Sequence, residues 1–207
     1  MPMPISRRAL LTSVLASGLV PGSHALALSG EPFPVNEAEA KKISYKFQRR
    51  DMAYETQEPA GTLVVDTKHR FLYHVLGNGQ ATRYGVAVGK GGNSWSGEAV
   101  IKRMAKWPVW VPTADHLARY PSLAKDIHGV PGGPGNPMGA RALYLYQGEV
   151  DTVYRIHGAT KPSDIGRKMT AGCIGLLNID VIHLYDQIAI GTRVVVEMLS
   201  DAVSMTG

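Results

Sequence analysis

The sequence predicts a mainly β domain, a sandwich or a barrel, that carries one clear helix. Short apolar runs bounded by turn residues recur from Thr62 to Met198, as expected for many short strands. Only residues 178–188 space their apolar side chains with a helical period. The 207 residues include 23 Gly and 13 Pro, which suits many turns, and show no internal repeat.

The first strands form a predicted antiparallel meander. Residues 62–65 and 70–75 flank a turn and predict a hairpin. The turn at Gly77-Asn78-Gly79 leads into a third strand over residues 81–88. The glycine-rich loop that follows lacks the spacing of a phosphate-binding loop.

The middle of the chain alternates strands with irregular segments. Trp107 and Trp110 flank Pro108 in an extended segment, which is either an aromatic wall of a cleft or a small core beneath a loop. Five Gly and three Pro exclude regular structure from residues 129–139. The remaining predictions are strands at 99–104, 141–146 and 153–157, with one or two helical turns within 113–125.

The carboxyl-terminal part predicts a helix and a closing strand. Asn178 or Asp180 caps the helix, Gly191 ends the segment, and residues 193–198 form the strand. His183 lies on this helix and is assigned to the surface.

The amino terminus has the pattern of an export signal over residues 1–27. Arg7 and Arg8 precede an apolar run over residues 9–20, and Ala25-Leu26-Ala27 offers a cleavage site. The pair of arginines resembles a twin-arginine signal, Sec export stays open, and an uncleaved membrane anchor is the alternative. We therefore expect a periplasmic protein. Residues 28–58 form an extension in which Asn36 caps a short helix, with Glu39 at its third position.

The charge pattern limits the partners. The formal net charge is +5, and without Arg7 and Arg8 it is nearer +3, which suits an anionic cell-wall polymer or lipid headgroups. No basic stripe with interleaved aromatic residues indicates nucleic acid. No HExxH motif and no paired Cys/His spacing indicates a metal, and no cofactor is predicted.

Cys173, the only cysteine, and His157, sixteen residues earlier, are the candidate catalytic pair. A histidine that ends a strand and a cysteine that follows a long loop can bring a base to a thiol, as in cysteine acyl-transfer enzymes. A lone cysteine is also often a small buried side chain, and a lone histidine a structural one. His128 is a weaker rival for the base.

Several segments together resemble the L,D-transpeptidase (YkuD-type) catalytic domain, in particular its periplasmic ErfK/YbiS-like branch. They are the glycine-rich loop, Trp-Pro-Val-Trp at 107–110, the Gly/Pro-rich run into residue 145, Tyr-Arg-Ile-His-Gly at 154–158 and Thr-Ala-Gly-Cys-Ile at 170–174. The resemblance implies a β-sandwich-like fold with mixed sheets and one or two short helices. It sets the catalytic domain at 59–199 and a tail at 200–207.

The resemblance also implies the chemistry. Cys173 is the nucleophile and His157 the base, whose imidazolium is expected to lower the pKa of the thiol. The bond cleaved joins stem-peptide residue three to D-Ala at four in peptidoglycan, and the acceptor is a neighbouring stem peptide, an outer-membrane protein or a lipoprotein. Carbapenems are expected covalent inhibitors. The backbone of the oxyanion site is Thr170, Ala171, Gly172 and Gly158; the candidate substrate-binding residues are Arg141, Arg155, Trp95 and Trp110.

One departure from the family pattern stands beside the nucleophile. Gly175 occupies the place of the arginine in Gly-Cys-Ile-Arg. The alternatives are therefore a weakly active or non-catalytic peptidoglycan-binding relative, an L,D-carboxypeptidase or other amide hydrolase, and a structural envelope protein. Another cation can also replace the arginine; the candidates are Arg141, Arg155, Lys161, Arg167 and Lys168.

Overall fold

The computed structural model describes residues 30–90 and 95–197, so the predicted export signal and the carboxyl-terminal tail lie outside the described residues. Within that part of the chain, strands dominate. They are β1 (Arg50–Ala53), β2 (Leu63–Asp66), β3 (Phe71–Gly77), β4 (Gln80–Gly85), β5 (Val88–Gly89), β6 (Gly97–Lys106), β7 (Arg141–Gln147), β8 (Val150–His157), β9 (Lys168–Thr170), β10 (Ile174–Gly175) and β11 (Arg193–Glu197).

Helices are few and short in the described residues. The α-helices are α1 (Ala114–Arg119) and α2 (Asn178–Tyr185), and single 3₁₀ segments are Glu37–Lys42, Tyr45–Phe47, Pro121–Asp126 and Pro162–Asp164. None of the helices in this part of the chain is long and apolar enough to cross a membrane. The predicted mainly β fold with mixed sheets and short helices is confirmed.

One mixed sheet organises the described chain, in the order β1-β4-β3-β2-β11-β6-β7-β8-β10. The β2-β3-β4 meander is antiparallel, as predicted, whereas β11 is parallel to β2 and β10 is parallel to β8. A second ladder pairs β5 with β9. The parallel pairing of β10 with β8 matters most, because it brings the chain after the 158–173 loop back beside His157.

The core lies between the central strands and α2. Leu63, Leu72, Ile101, Leu143 and Leu184 have no exposed surface. Burying side chains of this size contributes roughly 2 kcal/mol each to folding. The apolar stripe of α2 therefore holds the helix against the sheet, and with it the loops that precede the helix.

The structure differs from the sequence prediction at α2. Helix α2 ends at Tyr185, and its N-cap position is Leu177, with no side-chain cap. The side chain of Asn178 instead accepts hydrogen bonds from the backbone N–H groups of Ala140 and Ala159. His183 is half-buried and bonded to the Tyr84 hydroxyl at 2.9 Å, so its assignment to the surface was wrong.

The extension before residue 59 packs on the sheet more closely than its sequence suggests. Residues 50–53 show no clean period, yet they form the edge strand β1 against β4. Asn36 caps a 3₁₀ segment by accepting from the Ala38 N–H. The Glu31 carboxylate pairs with the buried Arg141 guanidinium and accepts a hydrogen bond from Trp107 at 2.7 Å. The extension is therefore tied to the domain by charge as well as by β pairing.

Candidate active site

His157 and Cys173 meet at the edge where β8 and β10 run in parallel. Ile174 is level with Ile156 and Gly175 with His157, which puts Cys173 just before the start of β10. Both side chains are half-buried and line the same cavity of about 260 Å³. The 158–173 loop thus converts a separation of sixteen residues into neighbouring positions on one groove wall.

The imidazole of His157 is oriented by the backbone that follows it. Its Nδ1 lies 2.8 Å from the Gly158 carbonyl oxygen. Because a carbonyl only accepts, Nδ1 carries the proton of the neutral ring and Nε2 is left unprotonated. Burial lowers the pKa of His157 to about 4, although hydrogen bonds to the Gly158 and Pro137 backbone oppose this. The ring is therefore neutral at physiological pH and able to accept a proton.

The pKa of the Cys173 thiol is raised, whereas that of His157 is lowered. Burial raises its pKa, and the backbone hydrogen bond and the charge of Arg155 only partly counteract this effect. The low-dielectric surroundings therefore disfavour charge on both members of the pair. The sequence predicts an imidazolium that lowers the pKa of the thiol; in the structure, burial instead favours a neutral thiol beside a neutral imidazole.

The segment before Cys173 is braced internally. The Thr170 hydroxyl donates to the Cys173 carbonyl at 2.6 Å and accepts from the Gly172 N–H at 3.3 Å. Gly172 has φ +151°, which L side chains rarely adopt. The Gly172 N–H, a predicted oxyanion donor, thus already donates a hydrogen bond to Thr170, although this bond is long. Ala171 lines both cavities of the groove and Gly172 lines one of them.

Gly158 is needed where the chain leaves His157. A Cβ on Gly158 would overlap the Asn178 Oδ1 atom and touch Val181 at 3.1 Å. The Asn178 amide oxygen occupies this space because it accepts from Ala140 N and Ala159 N at 2.9 Å each. The start of α2 is therefore fixed against the residues that follow His157.

A second cavity, of about 460 Å³, adjoins the first at Cys173. The residues that line both are His116, Ala171 and Cys173. His116 belongs to α1, where its Nδ1 accepts from the Thr113 N–H at 3.3 Å and the Thr113 hydroxyl accepts from the His116 N–H at 3.2 Å. Together the two cavities form a groove with the thiol at its middle.

The predicted aromatic residues take different places. Trp110 lines the smaller cavity, and its ring lies 5.7 Å from that of His116. Trp95 does not line either cavity but stacks on Tyr154, which forms part of the larger one. Trp107 is buried beside Phe33 and Ala140. Trp110 is thus in a wall and Trp107 in a small core, so each interpretation of the Trp-Pro-Val-Trp segment holds for one of its tryptophans.

The predicted substrate-binding arginines do not line either cavity. Arg141 is 1% exposed and bonded to Glu31, with Nη1 2.9 Å from Oε2. Arg155 is paired with Asp151 at 2.6 and 2.8 Å and packs over the Tyr144 ring. The structure therefore gives both a structural role, and the rival base His128 is not among the cavity-lining residues either.

Arg119 and His116 are two of the lining residues that the sequence did not single out. Both belong to α1, a helix of six residues between an irregular Trp/Pro segment and a 3₁₀ turn. The capping pair of Thr113 with a residue three positions later was the local signal for this helix. Its place beside the cavities that Cys173 lines depends on contacts distant in sequence, which leave no local signal. Among the described residues, no group of three or more His, Cys, Asp or Glu is arranged to hold a metal ion.

Comparison with known families gives one extensive match. The model of the L,D-transpeptidase catalytic domain (YkuD) matches residues 60–196. This range contains every residue that lines the two cavities, strands β2 to β10 and all but the last residue of β11.

Curated relatives carry matching names. The probable L,D-transpeptidase ErfK/SrfK of Salmonella typhimurium is 34% identical over 137 residues, which is 65% of this chain and 43% of the relative. The probable L,D-transpeptidase YbiS of Escherichia coli K12 is 30% identical over 139 residues, with the same coverage of 65% and 43%. The chain therefore spans less than half the length of these relatives.

Two solved structures add information on the fold. A chain from Brucella melitensis, described as a probable carnitine operon oxidoreductase, is 42% identical with a TM-score of 0.52, covering 79% of this chain and 99% of the other. The Ldtfm–avibactam carbamoyl enzyme has a TM-score of 0.50 at 13% identity, covering 69% and 51%, and supports the fold alone. The oxidoreductase name differs from those of the curated relatives. It also differs from the family whose model matches residues 60–196 of this chain.

Proposed function

The chain belongs to the L,D-transpeptidase catalytic domain family, and on that premise we propose that it is a peptidoglycan L,D-transpeptidase with Cys173 as nucleophile and His157 as general base. The observation that carries the proposal is the position of these two residues: His157 ends β8, Cys173 directly precedes the parallel strand β10, and both side chains line one cavity. A thiol and an unprotonated ring nitrogen on one groove wall are the parts that acyl transfer needs.

The first half-reaction forms an acyl-enzyme. Cys173 Sγ attacks the carbonyl carbon of stem-peptide residue three while its proton moves to His157, so charge develops only as the bond forms. This order follows from the neutral resting pair, since burial opposes both a free thiolate and an imidazolium. The tetrahedral oxyanion is stabilised by backbone N–H groups near Cys173. Collapse breaks the amide bond, and the imidazolium gives its proton to the departing D-Ala amine.

The second half-reaction transfers the acyl group. An acceptor amine attacks the thioester, His157 takes the amine proton, and the thiolate leaves as the new amide forms and recovers the proton. The acceptor is an amine of a second stem peptide or of an outer-membrane protein or lipoprotein. Water in place of the amine gives the L,D-carboxypeptidase alternative. An open groove on both sides of Cys173 suits an acyl donor and an acceptor that arrive separately.

We also propose export to the periplasm. The charged and apolar pattern of residues 6–27 supports it, and peptidoglycan lies in that compartment. Residues 28–58 are proposed as an extension that stabilises the catalytic domain over 59–199. The ion pair of Glu31 with Arg141 and the β1–β4 pairing support this role.

Muropeptide turnover tests the proposal. Purified protein is incubated with tetrapeptide muropeptides, and the products are separated and weighed by mass spectrometry. We expect release of D-Ala and formation of dimers by the wild type, and neither product with Cys173→Ala. Monomeric tripeptides alone would identify the carboxypeptidase, and binding to sacculi without any product would identify a non-catalytic relative.

Carbapenem acylation is an independent probe of the nucleophile. We expect a single adduct on Cys173 by intact-mass analysis, and none with Cys173→Ala. Wild-type protein that forms no adduct at any carbapenem concentration would contradict a competent thiol at this position.

A further inference from the structure

The extension before residue 59 touches the loop that leads from His157 to Cys173. Phe47 belongs to this extension, and Gly166 lies in the middle of the loop. A Cβ built on Gly166 would overlap three atoms of the Phe47 ring. Gly166 also has φ +80°, a region that L side chains rarely adopt. The aromatic ring therefore rests directly on the loop backbone, at a residue where a side chain has no room.

Ile165 gives the loop a second contact with the extension. It is 6% exposed and forms a small apolar cluster with Ile43 of the extension and Leu177, which directly precedes α2. Phe47 packs against the same cluster. Asp164, the neighbour of Ile165 in sequence, lines the smaller cavity. The loop is thus packed on the extension at one residue and forms the cavity wall at the next.

Phe47 is held on the sheet as well as on the loop. Its ring lies 5.2 Å from that of Phe71 in β3, measured between centroids. A Cβ built on Gly85 of β4 would overlap the Phe47 carbonyl oxygen, and the Phe47 N–H donates to the Ser44 carbonyl at 2.8 Å. Because closely packed side chains transmit displacement, Phe47 fixes the distance between the sheet and the middle of the loop.

The same loop forms the cavity wall beside the nucleophile. Besides Cys173, the loop residues that line the smaller cavity are Ala159, Thr160, Asp164, Met169, Thr170 and Ala171. At the end of the loop, the Thr170 hydroxyl donates to the Cys173 carbonyl at 2.6 Å. A loop that shifts away from the extension therefore shifts the thiol relative to His157. Misplacement of a reacting group by about 1 Å can cost on the order of 10²-fold in rate.

We propose that Phe47 is a positioning residue for the acylation of Cys173, which acts by holding the 158–173 loop against the sheet. This inference rests on the proposed function. Phe47 does not line either cavity, so its effect on a peptide in the groove passes through Ile165 and Gly166. The extension is then a part of the active-site architecture as well as a source of stability.

The rate of carbapenem acylation tests this role in variants that keep the extension. Phe47→Ala removes the ring and is expected to lower the maximal rate constant for the Cys173 adduct by about 10- to 100-fold. Phe47→Leu keeps an apolar side chain at this position and is expected to retain most of the rate. Intact-mass analysis at saturating carbapenem gives each rate constant.

Tyr54→Ala is the matched control. Tyr54 belongs to the same extension, is half-buried like Phe47, and stacks on Tyr73 of β3 with 4.2 Å between ring centroids. It belongs neither to the Ile165 cluster nor to the cavity walls. We expect Tyr54→Ala to lower the urea midpoint as Phe47→Ala does, yet to acylate at the wild-type rate. Equal slowing in both variants, or no slowing with Phe47→Ala, would overturn the positioning role.

Amide hydrogen exchange shows whether the loop itself responds. In the folded protein the Gly166 N–H donates to the Val86 carbonyl at 3.0 Å, so the loop is protected where Phe47 covers it. Peptides that cover residues 158–173 are expected to exchange faster in Phe47→Ala than in wild type or Tyr54→Ala, with exchange in β6 and β7 unchanged. Wild-type exchange of the loop in Phe47→Ala would contradict its being held by the ring.

A double variant shows whether Phe47 acts through the loop. Ile165→Ala removes the contact that the loop itself makes with the extension. Adding Phe47→Ala to Ile165→Ala is therefore expected to slow acylation by a smaller factor than Phe47→Ala does alone, because both changes release the same segment. The same factor in both backgrounds would mean that Phe47 acts by another route, and the inference would be wrong.

Exchange and turnover together separate this inference from the proposed function. If wild type neither forms the carbapenem adduct nor releases D-Ala, the proposed function falls, and exchange of the loop alone decides whether Phe47 holds it. If wild type is active while Phe47→Ala changes neither the acylation rate nor the exchange, the function stands and the positioning role is wrong. An inactive wild type whose loop exchange is unaffected by Phe47→Ala would refute both.

Discussion

Thr160 occupies the space that a side chain on Gly175 would need. An ideal Cβ built on Gly175 overlaps the Thr160 Oγ1 atom and also contacts the Ala87 Cβ at 3.7 Å. Gly175 is bracketed by backbone pairing, with His157 opposite it on β8 and two hydrogen bonds to Ala87 on its other side, at 2.8 and 2.9 Å. The glycine in place of the family arginine is therefore matched to its surroundings, since the Thr160 side chain fills the space beside it.

Restoring arginine at residue 175 is consequently expected to harm the protein. Gly175→Arg forces Thr160 to move and lowers the free energy of unfolding by about 1–3 kcal/mol, the usual range for overpacking. It also slows carbapenem acylation of Cys173, because the displaced loop lines the same cavity. The measurements are urea denaturation and the rate of adduct formation by mass spectrometry.

The control for that variant is the pair change Thr160→Gly with Gly175→Arg. Removal of the threonine side chain frees the space, so the double variant is expected to regain most of the lost stability relative to Thr160→Gly alone. A Gly175→Arg protein that is as stable as wild type and acylates faster would show that the closed position is readily opened.

Asn178 is expected to hold the backbone around His157 in place. Its Oδ1 accepts from the backbone of Ala140 and Ala159, which flank the segment around His157 and Gly158. Asn178→Ala leaves these two N–H groups without an acceptor and lowers the free energy of unfolding by about 2 kcal/mol or more. It also slows acylation of Cys173. Asn178→Asp, which keeps the accepting oxygen, is the matched control and is expected to retain most of both properties.

The pH dependence of acylation tests the neutral resting pair. Because burial lowers the pKa of His157 to about 4, its ring stays unprotonated down to that pH. The carbapenem acylation rate is therefore expected to fall only as pH drops through about 4, and His157→Asn lowers the plateau by about 10²- to 10⁴-fold. An acidic limb near the ordinary histidine pKa, between 6 and 7, would contradict the effect of burial.

The rate of alkylation by iodoacetamide reports how far the Cys173 thiol is ionised. Since burial raises the pKa of Cys173, the neutral thiol predominates at neutral pH and alkylation is expected to accelerate with rising pH above 8. Circular dichroism at each pH confirms that the protein remains folded. A fast rate that is constant from pH 5 to pH 8 would instead reveal a resting thiolate.

The link between the extension and the domain predicts a stability effect remote from the thiol. Glu31→Ala leaves the Arg141 guanidinium, which is 1% exposed, without its counter-ion, and is expected to lower the free energy of unfolding by about 3–5 kcal/mol. The double change Glu31→Leu with Arg141→Met removes both charges and is expected to lower the free energy of unfolding by less than Glu31→Ala does. Glu37→Ala, in an exposed segment of the same extension, is the control. Equal small losses for Glu31→Ala and Glu37→Ala would refute the role of the ion pair.

Local sequence patterns predicted much of the fold and also the family. The alternation of apolar and turn residues predicted β2, β3, β6, β7, β8 and β11 near their observed positions, because a strand in a sheet needs a buried face and a defined turn. The Tyr-Arg-Ile-His-Gly and Thr-Ala-Gly-Cys-Ile segments predicted the family that the match over residues 60–196 shows. Strand β1 escaped prediction, since its pairing with β4 supplies the stabilisation that its own pattern lacks.

Sequence alone thus predicted most of the longer strands, the family and the candidate pair His157 and Cys173. It did not establish which cations face the groove, because charge type is local whereas the partner of a charge is fixed by packing over long separations. Arg141 meets Glu31, 110 residues earlier, and leaves the groove, while Arg119 enters the groove through a six-residue helix. The protonation of this candidate pair likewise depends on folding, since burial around His157 and Cys173 opposes charge on each.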